Sequence, residues 1–206
     1  ELRVAGAYDD AGTLTNFISQ ITDITSRKMA EEQQRLDNAE LLHRSTHDPL
    51  TDLPNRALLD EHLRLLIARV RREADTGAIL YCDLDDFKSI NDAHGHLVGD
   101  RVLIEVASRL RHHVRDVDLV ARVGGDEFVI ALSTADCPED VASVADRIHA
   151  AISEPIQDPE IGPVAVGASI GVALIEATDV PTTALHRADG MSYEAKRAGG
   201  GIRHVA

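Results

Sequence analysis

Residues 119–132 read Leu119-Val120-Ala121-Arg122-Val123-Gly124-Gly125-Asp126-Glu127-Phe128-Val129-Ile130-Ala131-Leu132. Two short apolar runs joined at a Gly-Gly step predict a β-hairpin, because a tight two-residue turn requires positive φ, which glycine adopts without penalty. Two adjacent carboxylates, Asp126 and Glu127, follow the glycines. Glycines allow a ligand to approach the backbone closely and carboxylates are hard oxygen ligands, so the predicted guest is a phosphate with its divalent cation. The pentad alone equally fits an acidic hairpin tip that is merely solvated.

A second acidic segment lies at 83–92, directly after a predicted buried strand, Ala78–Cys82. Asp83 falls at the end of that strand, where α/β folds place ligand groups. A carboxylate at a strand end, together with a carboxylate pair on a hairpin, is an arrangement that holds Mg²⁺ against a nucleoside triphosphate. Residues 95–100 are then predicted to form a loop that leads into a helix.

Composition narrows the class of protein. The chain has 206 residues, of which 44% are hydrophobic and 3% aromatic, so we expect an aliphatic core in one domain of ordinary size with an appendage. The net charge of −14 argues against nucleic-acid binding, which requires basic surfaces. No apolar run approaches the ~18 residues that span a bilayer, so we expect no membrane contact within these residues. Cys82 and Cys137 are interpreted as reduced thiols of a cytoplasmic protein.

The remaining pattern alternates strands and helices. Two β-like runs, Leu2–Tyr8 and Leu14–Ile21, precede a polar segment from Thr25 to Thr46 that favours a helix capped by Thr25. An apolar helix face follows at Leu58, Leu59, His62, Leu63, Leu66, Ile67 and Val70. Later helices are predicted around 102–110, 141–152 and 184–197, with extended segments at 163–175, where Gly167 and Gly171 allow a bend, and at 202–206. Mixed strands and helices around a central hairpin predict an α/β protein, specifically an α+β sandwich.

Four motifs in a fixed order connect these segments to one family. They are Asp48-Pro49-Leu50-Thr51-Asp52-Leu53-Pro54-Asn55-Arg56, the segment 83–100, the pentad 124–128 and Tyr193-Glu194-Ala195-Lys196. With this order and spacing the chain resembles the GGDEF domain, the diguanylate cyclase module of bacterial signalling, from about Asp48 to the C-terminus. The resemblance implies a mixed sheet flanked by helices, the palm-like fold of nucleotidyl cyclases and polymerases, over residues 47–206.

The segments upstream resemble parts of other signalling modules. Residues 1–24 resemble the last hairpin of a PAS sensor domain, and two strands cannot form a stable domain alone, so we expect them to belong to a longer protein. Residues 25–46 are interpreted as a signalling helix in which Met29 and Leu36, one heptad apart, help to pair two protomers. A solvated single-helix linker fits the spacing equally well.

The resemblance assigns roles to the acidic residues and to one lysine. It implies that Asp83, Asp126 and Glu127 bind Mg²⁺ or Mn²⁺, with the carbonyl of Leu84 as a further oxygen ligand. Because side chains alternate across a hairpin, Asp126 and Glu127 cannot both face one ion. We favour Asp126 as ligand and candidate base, and Glu127 as second ligand or organiser of the loop. Lys196 is expected to reach the triphosphate as a point charge and to take part in catalysis.

Substrate contacts follow from the same resemblance. Asn91 and Asp100 match guanine-reading positions, and a carboxylate accepts two hydrogen bonds from guanine N1–H and N2–H₂ that adenine cannot offer. A short turn opened by Phe87 and Lys88 is expected to hold phosphates with its backbone N–H groups. The predicted contacts with GTP are Phe87, Lys88, Asn91, Asp100, Gly124, Gly125 and Lys196.

The chain departs from the family pattern at one position of the phosphate site. Four residues after Lys196 the family usually has an arginine, but this chain has Gly200. Arg197 or Arg203 could substitute for it. The departure puts triphosphate affinity and turnover in doubt, but not the fold.

A regulatory motif and an entry motif complete the resemblance. Arg115-Asp116-Val117-Asp118 matches the RxxD site at which the product binds and arrests the enzyme, with Arg147 as the second basic contact. Asp48 and Arg56 bracket the entry to the domain, and we expect them to form an ion pair through which strain in the helix reaches the site.

The implied reaction is condensation of two GTP molecules into cyclic di-GMP with release of two pyrophosphates. Each protomer holds one GTP, so activity requires an antiparallel homodimer of domains. Two hypotheses from other classes remain open. One is a weak or inactive domain that acts as a cyclic di-GMP receptor, and the other is a GTP-sensing regulator of a phosphodiesterase domain.

Overall fold

The computed structural model describes residues 2–73, 76–134 and 138–204. The chain divides into two compact units, residues 1–43 and 44–206. The first contains an antiparallel hairpin of β1 (Leu2–Tyr8) and β2 (Leu14–Ile21), followed by most of α1 (Thr25–Thr46). These bounds are the predicted ones, but the predicted cap is wrong. Thr25 is already helical, and its N–H donates to the Asp23 carboxylate at 2.8 Å.

The second unit alternates helices and strands. The elements are α2 (Arg56–Glu73), β3 (Ala78–Asp85), α3 (Phe87–His94), α4 (His96–His112), β4 (Leu119–Gly124), β5 (Glu127–Leu132), α5 (Pro138–Ser153), β6 (Ile156–Asp158), β7 (Gly162–Val164), β8 (Gly167–Leu174), α6 (Pro181–Arg197) and β9 (Gly201–His204). The segment predicted to be extended at 163–175 is therefore divided between β7 and β8. Cys137, interpreted above as a free thiol, lies outside the described residues.

A five-stranded mixed sheet in the order β4-β5-β3-β8-β9 organises this unit. Neighbours are antiparallel except for β8 and β9, which are parallel. Strand β3 occupies the centre, and a separate two-stranded hairpin joins β6 to β7. The predicted α+β architecture, a mixed sheet flanked by helices, is confirmed.

Helices cover both faces of the sheet and create two cores. One core contains Leu80, Cys82 and Leu84 of β3 with residues of α4 and α5, and the other contains Ile79 and Tyr81 with residues of α2 and α6. Because side chains alternate along a strand, Asp83 must lie on the same face as Tyr81, beside α2 and α6. This alternation places an acidic side chain at the end of the central strand on a helix-covered face.

Helix α6 comes unusually close to β8 because of one glycine. A Cβ at Gly171 would lie 2.0 Å from the carbonyl oxygen of Ala188 and 2.2 Å from the backbone nitrogen of Ser192. The sequence suggested a bend at this glycine, whereas the structure uses it for close packing of backbone against backbone. The approach fixes the depth at which α6 carries its C-terminal lysine.

Candidate active site

The C-terminal end of β3 carries the central acidic residue of the site. The carboxylate of Asp83 accepts a hydrogen bond from the Nζ of Lys196, at the end of α6, with a separation of 2.5 Å. Burial alone would lower the pKa of Lys196, but its bond to Asp83 and the negative charges of Asp83, Asp126 and Asp85 raise it on balance. The ammonium group therefore lies among three carboxylates, which is the position expected for a cation.

The hairpin of β4 and β5 carries the acidic pair, but its glycines have a different purpose from the predicted one. The turn consists of Gly125 and Asp126, with Gly124 still in β4, and neither glycine has positive φ. The prediction of a positive-φ Gly-Gly turn is therefore wrong. A Cβ at Gly124 would lie 2.5 Å from Oε2 of Glu127, in a register irregularity between the two strands. Glycine at this position lets the Glu127 carboxylate lie close to the backbone.

Asp126 and Glu127 have different surroundings. Glu127 is opposite Asp83 in the sheet, and its charge acts on the hydroxyl of Tyr81. Burial, reinforced by the Glu127 charge, raises the pKa of Tyr81 far above its ordinary value, so the phenol is a donor at neutral pH. The carbonyl of Asp126 accepts the N–H of Leu84 at 3.2 Å, which ties the turn to the end of β3.

The residues at this end of the sheet fit a magnesium ion only as part of its ligand set. Among the described residues, no three acidic, histidine or cysteine side chains are grouped closely enough to hold a metal ion by themselves. Mg²⁺ is usually bound by one or two carboxylates, with substrate phosphates and water as the other ligands. Asp83 and Asp126, which supply hard oxygens and whose charges both act on the Lys196 ammonium group, suit that mode of binding.

A guanidinium group connects the domain entry to the hairpin turn. Arg122 donates to the carboxylate of Asp48 at 2.8 Å and, through Nε and Nη2, to the carbonyl of Gly125 at 3.1 and 2.7 Å. The expected Asp48–Arg56 ion pair is wrong, because Arg56 instead pairs loosely with Asp60 at 3.4 Å. Asp48 is better placed for Arg122, which extends from β4 beside the turn that follows α1.

The predicted guanine-reading residues lie on two helices that pack together. Asn91 is on α3 and Asp100 on α4, and both are half-buried. A Cβ at Gly99, the residue before Asp100, would lie 2.0 Å from Oδ1 of Asn91. Because residue 99 is a glycine, the Asn91 amide can lie against the backbone of α4. The predicted short turn at Phe87 and Lys88 is in fact the start of α3.

Lys196 is followed, after Arg197 and Ala198, by three glycines in the left-handed region. Gly199, Gly200 and Gly201 have φ values of 98°, 95° and 100°. Of the two arginines suggested as substitutes, Arg197 lies over the ring of Tyr193 at 5.9 Å, and Arg203 donates to the carbonyl of Ile202. Neither of these contacts is with Asp83, Asp85 or Asp126, the three residues called the acidic cluster below.

The three residues of the predicted product site surround one turn. The N–H of Arg115 donates to Oδ2 of Asp118 at 3.1 Å, and the other carboxylate oxygen accepts the N–H of Ser133. Arg147, on α5, donates to the carbonyl of His113 at 2.9 Å. Both arginine side chains are exposed. Asp118 thus stabilises the turn that carries Arg115.

Two residues near the site were not assigned roles from the sequence. Asp85 accepts a hydrogen bond from the Ser169 hydroxyl at 2.7 Å, and its other oxygen lies 3.1 Å from the Cβ position of Gly200. Asp85 is two residues after Asp83 on β3, so the two side chains lie on the same face of the sheet, and this spacing was the available signal. Arg122 is the only basic residue of β4. One of its partners, Asp48, is distant in sequence and the other is a backbone carbonyl, so no local pattern indicated them.

These motifs can now be compared with known proteins. Residues 45–201 match the model of the family described as diguanylate cyclase, GGDEF domain. This chain belongs to the GGDEF family. Diguanylate cyclase TpbB of Pseudomonas aeruginosa is 41% identical over 171 residues, which are 82% of this chain and 39% of TpbB. The bifunctional diguanylate cyclase/cyclic di-GMP phosphodiesterase MucR of the same species is 44% identical over 163 residues, 79% of this chain and 24% of MucR. The chain thus spans well under half the length of these relatives.

Solved structures show the same GGDEF fold. The isolated GGDEF domain of TpbB superposes with a TM-score of 0.75 at 40% identity, covering 78% of this chain and 94% of that one. The coiled coil and GGDEF domain of DgcB from Caulobacter crescentus, solved in complex with c-di-GMP, gives a TM-score of 0.79 at 25% identity. That likeness covers 89% of this chain and 100% of the DgcB chain.

Proposed function

We propose that this chain is the catalytic part of a diguanylate cyclase, which condenses two GTP molecules into cyclic di-GMP and releases two pyrophosphates. The observation that carries the proposal is the convergence of Asp83, Asp126 and Lys196 at the end of β3, within a chain of the GGDEF family. These groups supply a carboxylate, a candidate base and a phosphate-binding cation at one place.

The chain's own residues act on the two reacting groups. Lys196 exchanges its bond with Asp83 for the phosphate oxygens of bound GTP, with the N-terminal backbone of α3, beginning at Phe87 and Lys88, and the turn glycines as further contacts. Asn91 and Asp100 select guanine. Asp126 accepts the proton of the 3′-hydroxyl that attacks the α-phosphorus of the second GTP, and pyrophosphate leaves in line.

A divalent cation, Mg²⁺ or Mn²⁺, completes this proposal. Asp83, the carbonyl of Leu84 and Asp126 would hold it, with Glu127 as an additional ligand or as an organiser of the turn. When bound, the cation screens the phosphate charge and lowers the pKa of the attacking hydroxyl. Glu127 raises the pKa of the buried Tyr81 phenol, and this influence on a structural hydroxyl favours the organising role.

Each domain holds one GTP, so the proposed enzyme is a homodimer. Helix α1 has no buried residue among those described, and Met29, Leu36, Leu41 and Leu42 are exposed. Apolar side chains without cover support the pairing of two α1 helices as a signalling coiled coil, downstream of a PAS-like end at residues 1–24. A cytoplasmic location belongs to the same proposal. Among the described residues, no helix is long and apolar enough to cross a membrane.

Product inhibition at the RxxD motif is a further part of the proposal. Arg115 and Arg147 expose their guanidinium groups around one turn, and such planar groups can stack on guanine and bond to its edge. Asp118 would accept hydrogen bonds from the guanine while continuing to stabilise the turn. Cyclic di-GMP is therefore proposed as both product and inhibitor.

A second candidate function is favoured by Gly200. The family's usual arginine is absent there, and the backbone φ of 95° disfavours any side chain. If phosphate affinity is too low for turnover, the domain would act as a cyclic di-GMP receptor through Arg115 or as a GTP-sensing module. Substituting Arg115 separates the readings. In an enzyme, the substitution relieves product inhibition. In a receptor, it abolishes cyclic di-GMP binding and has no effect on cyclic di-GMP synthesis.

The direct test is chromatographic detection of cyclic di-GMP after a concentrated sample is incubated with GTP and Mg²⁺. We expect product from the native chain and a loss of at least about 10²-fold in Asp126→Ala, because a base and ligand are removed. Asp92→Ala, which removes an exposed carboxylate from α3, is the matched control. Calorimetric binding of GTP to the same samples reports folding and substrate affinity independently of turnover.

Absence of product at every concentration, with cyclic di-GMP binding retained, would favour the receptor. Equal product from the native chain and from Asp126→Ala would refute the assigned role of Asp126.

A further inference from the structure

Asp85 is an acidic residue at the end of β3 that the proposed reaction does not use. It is opposite Gly167 in the sheet and lies on the same face as Asp83, two residues earlier. Its Oδ1 accepts a hydrogen bond from the hydroxyl of Ser169 at 2.7 Å. Its negative charge also acts on the ammonium group of Lys196. Asp85 is therefore close enough to influence what Lys196 binds.

Buried hydrogen bonds fix the position of the Asp85 carboxylate. Ser169 is 0% exposed, and its carbonyl accepts the hydroxyl of Ser192, on α6, at 3.0 Å. Because a buried hydroxyl needs a partner, the contact of Ser169 with Oδ1 of Asp85 is a structural one. The other oxygen, Oδ2, lies 2.9 Å from the Cβ position of Gly167 and 3.1 Å from that of Gly200. Neither glycine has a side chain that could neutralise it.

The acidic cluster carries more negative than positive charge. Within residues 2–73, 76–134 and 138–204, the contact of Asp83 with Lys196 is the only ion pair that any of its three members forms. Asp85 has no cationic partner in that part of the chain, and the Ser169 hydroxyl that it accepts is neutral. A triphosphate that enters the site would therefore meet one ammonium group and three carboxylates.

Binding of a divalent cation would not remove the charge of Asp85. Asp83 and Asp126 are the proposed ligands of that cation, whereas Asp85 is bonded to Ser169. Its negative charge would therefore remain beside the phosphates, which carry charge of the same sign. Like charges repel more strongly in a partly buried site than in water. The same carboxylate attracts Lys196, which has to turn towards the phosphates.

We propose that Asp85 sets the affinity of the active site for triphosphates, weakening it by repelling the phosphates and by attracting Lys196. The inference rests on the proposed function, because it concerns the triphosphate of the same site. One consequence is that the site depends strongly on the divalent cation to bind GTP. Without a cation, nothing beyond the Lys196 ammonium group offsets the three carboxylates.

The test is isothermal titration of GTP into the full chain with EDTA present, so that no divalent cation contributes. We expect Asp85→Asn to bind GTP about 5- to 20-fold more tightly than the native chain, because one negative charge is removed. The asparagine oxygen can still accept the Ser169 hydroxyl. The gain should be smaller for GMP, which lacks the β- and γ-phosphates, and smaller at high salt, which screens the charges. Damage to the site would lower the affinity and could not produce a gain.

Two control variants separate the charge of Asp85 from other effects. Asp92→Asn removes the same charge from an exposed position on α3, so it should change the GTP affinity by less than about twofold. Ser169→Ala keeps the charge of Asp85 and loses only the hydrogen bond, so it should not reproduce the gain. With Mg²⁺ present, Asp85→Asn should lower the KM for GTP about 3- to 10-fold and change kcat by less than about threefold.

The outcomes decide the role of Asp85. Unchanged or weaker GTP binding by Asp85→Asn overturns the proposal, as does an equal gain in Asp92→Asn or an equal gain for GMP. Weaker binding only when Mg²⁺ is present would make Asp85 a part of the cation site and would also overturn it. Tighter GTP binding without cyclic di-GMP synthesis would support this inference and contradict the proposed function. Synthesis by the native chain, with an unchanged GTP affinity in Asp85→Asn, would do the reverse.

Discussion

The chain has two glycine-rich segments beside its acidic cluster, and they are glycine-rich for different reasons. In the hairpin, neither Gly124 nor Gly125 has a positive φ, and a Cβ at Gly124 would displace the carboxylate of Glu127. After α6, Gly199 and Gly201 have open space around them but φ near 100°. The first segment therefore depends on close approach, and the second on backbone conformation. Substitutions should affect chemistry in the first and stability in the second.

Among substitutions of these glycines, the largest expected effect comes from Gly124→Ala. The new methyl group must displace Oε2 of Glu127, which lies 2.5 Å from its position, and a carboxylate at the end of a flexible side chain can move at little energetic cost. We expect the unfolding free energy to change by less than about 1 kcal/mol. Cyclic di-GMP formation should fall about 10- to 100-fold, because small misplacements of catalytic groups have effects of that size.

A double-mutant cycle shows whether Glu127 mediates this loss. In a Glu127→Ala background there is no carboxylate to displace, so adding Gly124→Ala should change the initial rate by less than about threefold. Independent, multiplicative losses would show that Gly124 acts through another group. A large loss of stability in the single variant would contradict the distinction between the two segments.

The second prediction restores the family's arginine and concerns Gly200→Arg. A side chain at a φ of 95° costs about 1–2 kcal/mol of folding stability, and an exposed ion pair with Asp85 offsets at most about 1 kcal/mol of it. We expect a lower midpoint of urea denaturation and no gain in the rate of cyclic di-GMP formation. Asparagine tolerates the left-handed region better, so Gly200→Asn should lose less stability. A faster enzyme of unchanged stability would show that the loop accepts an arginine.

Local patterns were sufficient for most of the fold. The continuous apolar runs of β3 and β5 could be read directly, since these two strands bury both faces under helices. Helix α3 was not predicted because it has only eight residues and begins directly after Asp86, whose left-handed backbone (φ 53°) separates it from β3. Its packing against α4 stabilises it, and that contact has no local signature.

The candidate site residues could be proposed from the sequence, but their spatial arrangement could not be derived from it. Asp83 and Lys196 are 113 positions apart, and Asp48 and Arg122 are 74 apart, so their contacts depend on the sheet order and on the depth of α6. The Asp48–Arg56 prediction failed because proximity along the chain was taken for proximity in space. The φ values of the two glycine segments could not be predicted either, since glycine occurs both where another group approaches the backbone closely and where φ is positive.

The smallest expected effect comes from Gly190, a glycine outside both segments that has neither a close neighbour nor a positive φ. Gly190 lies within α6, its φ is not positive, and a Cβ there would meet nothing within 4 Å. Gly190→Ala should raise the unfolding free energy by about 0.5–1 kcal/mol, because alanine loses less backbone entropy in a helix. Urea denaturation measures this gain, and the rate of cyclic di-GMP formation should be unchanged. Because Gly190 and Lys196 share one helix, a fall in activity without a fall in stability would mean that α6 bends at this glycine when Lys196 exchanges Asp83 for phosphate. Gly190 would then resemble Gly199 and Gly201, which are required for their backbone conformation. The comparison of the two segments would have to include a glycine whose backbone changes conformation during the reaction.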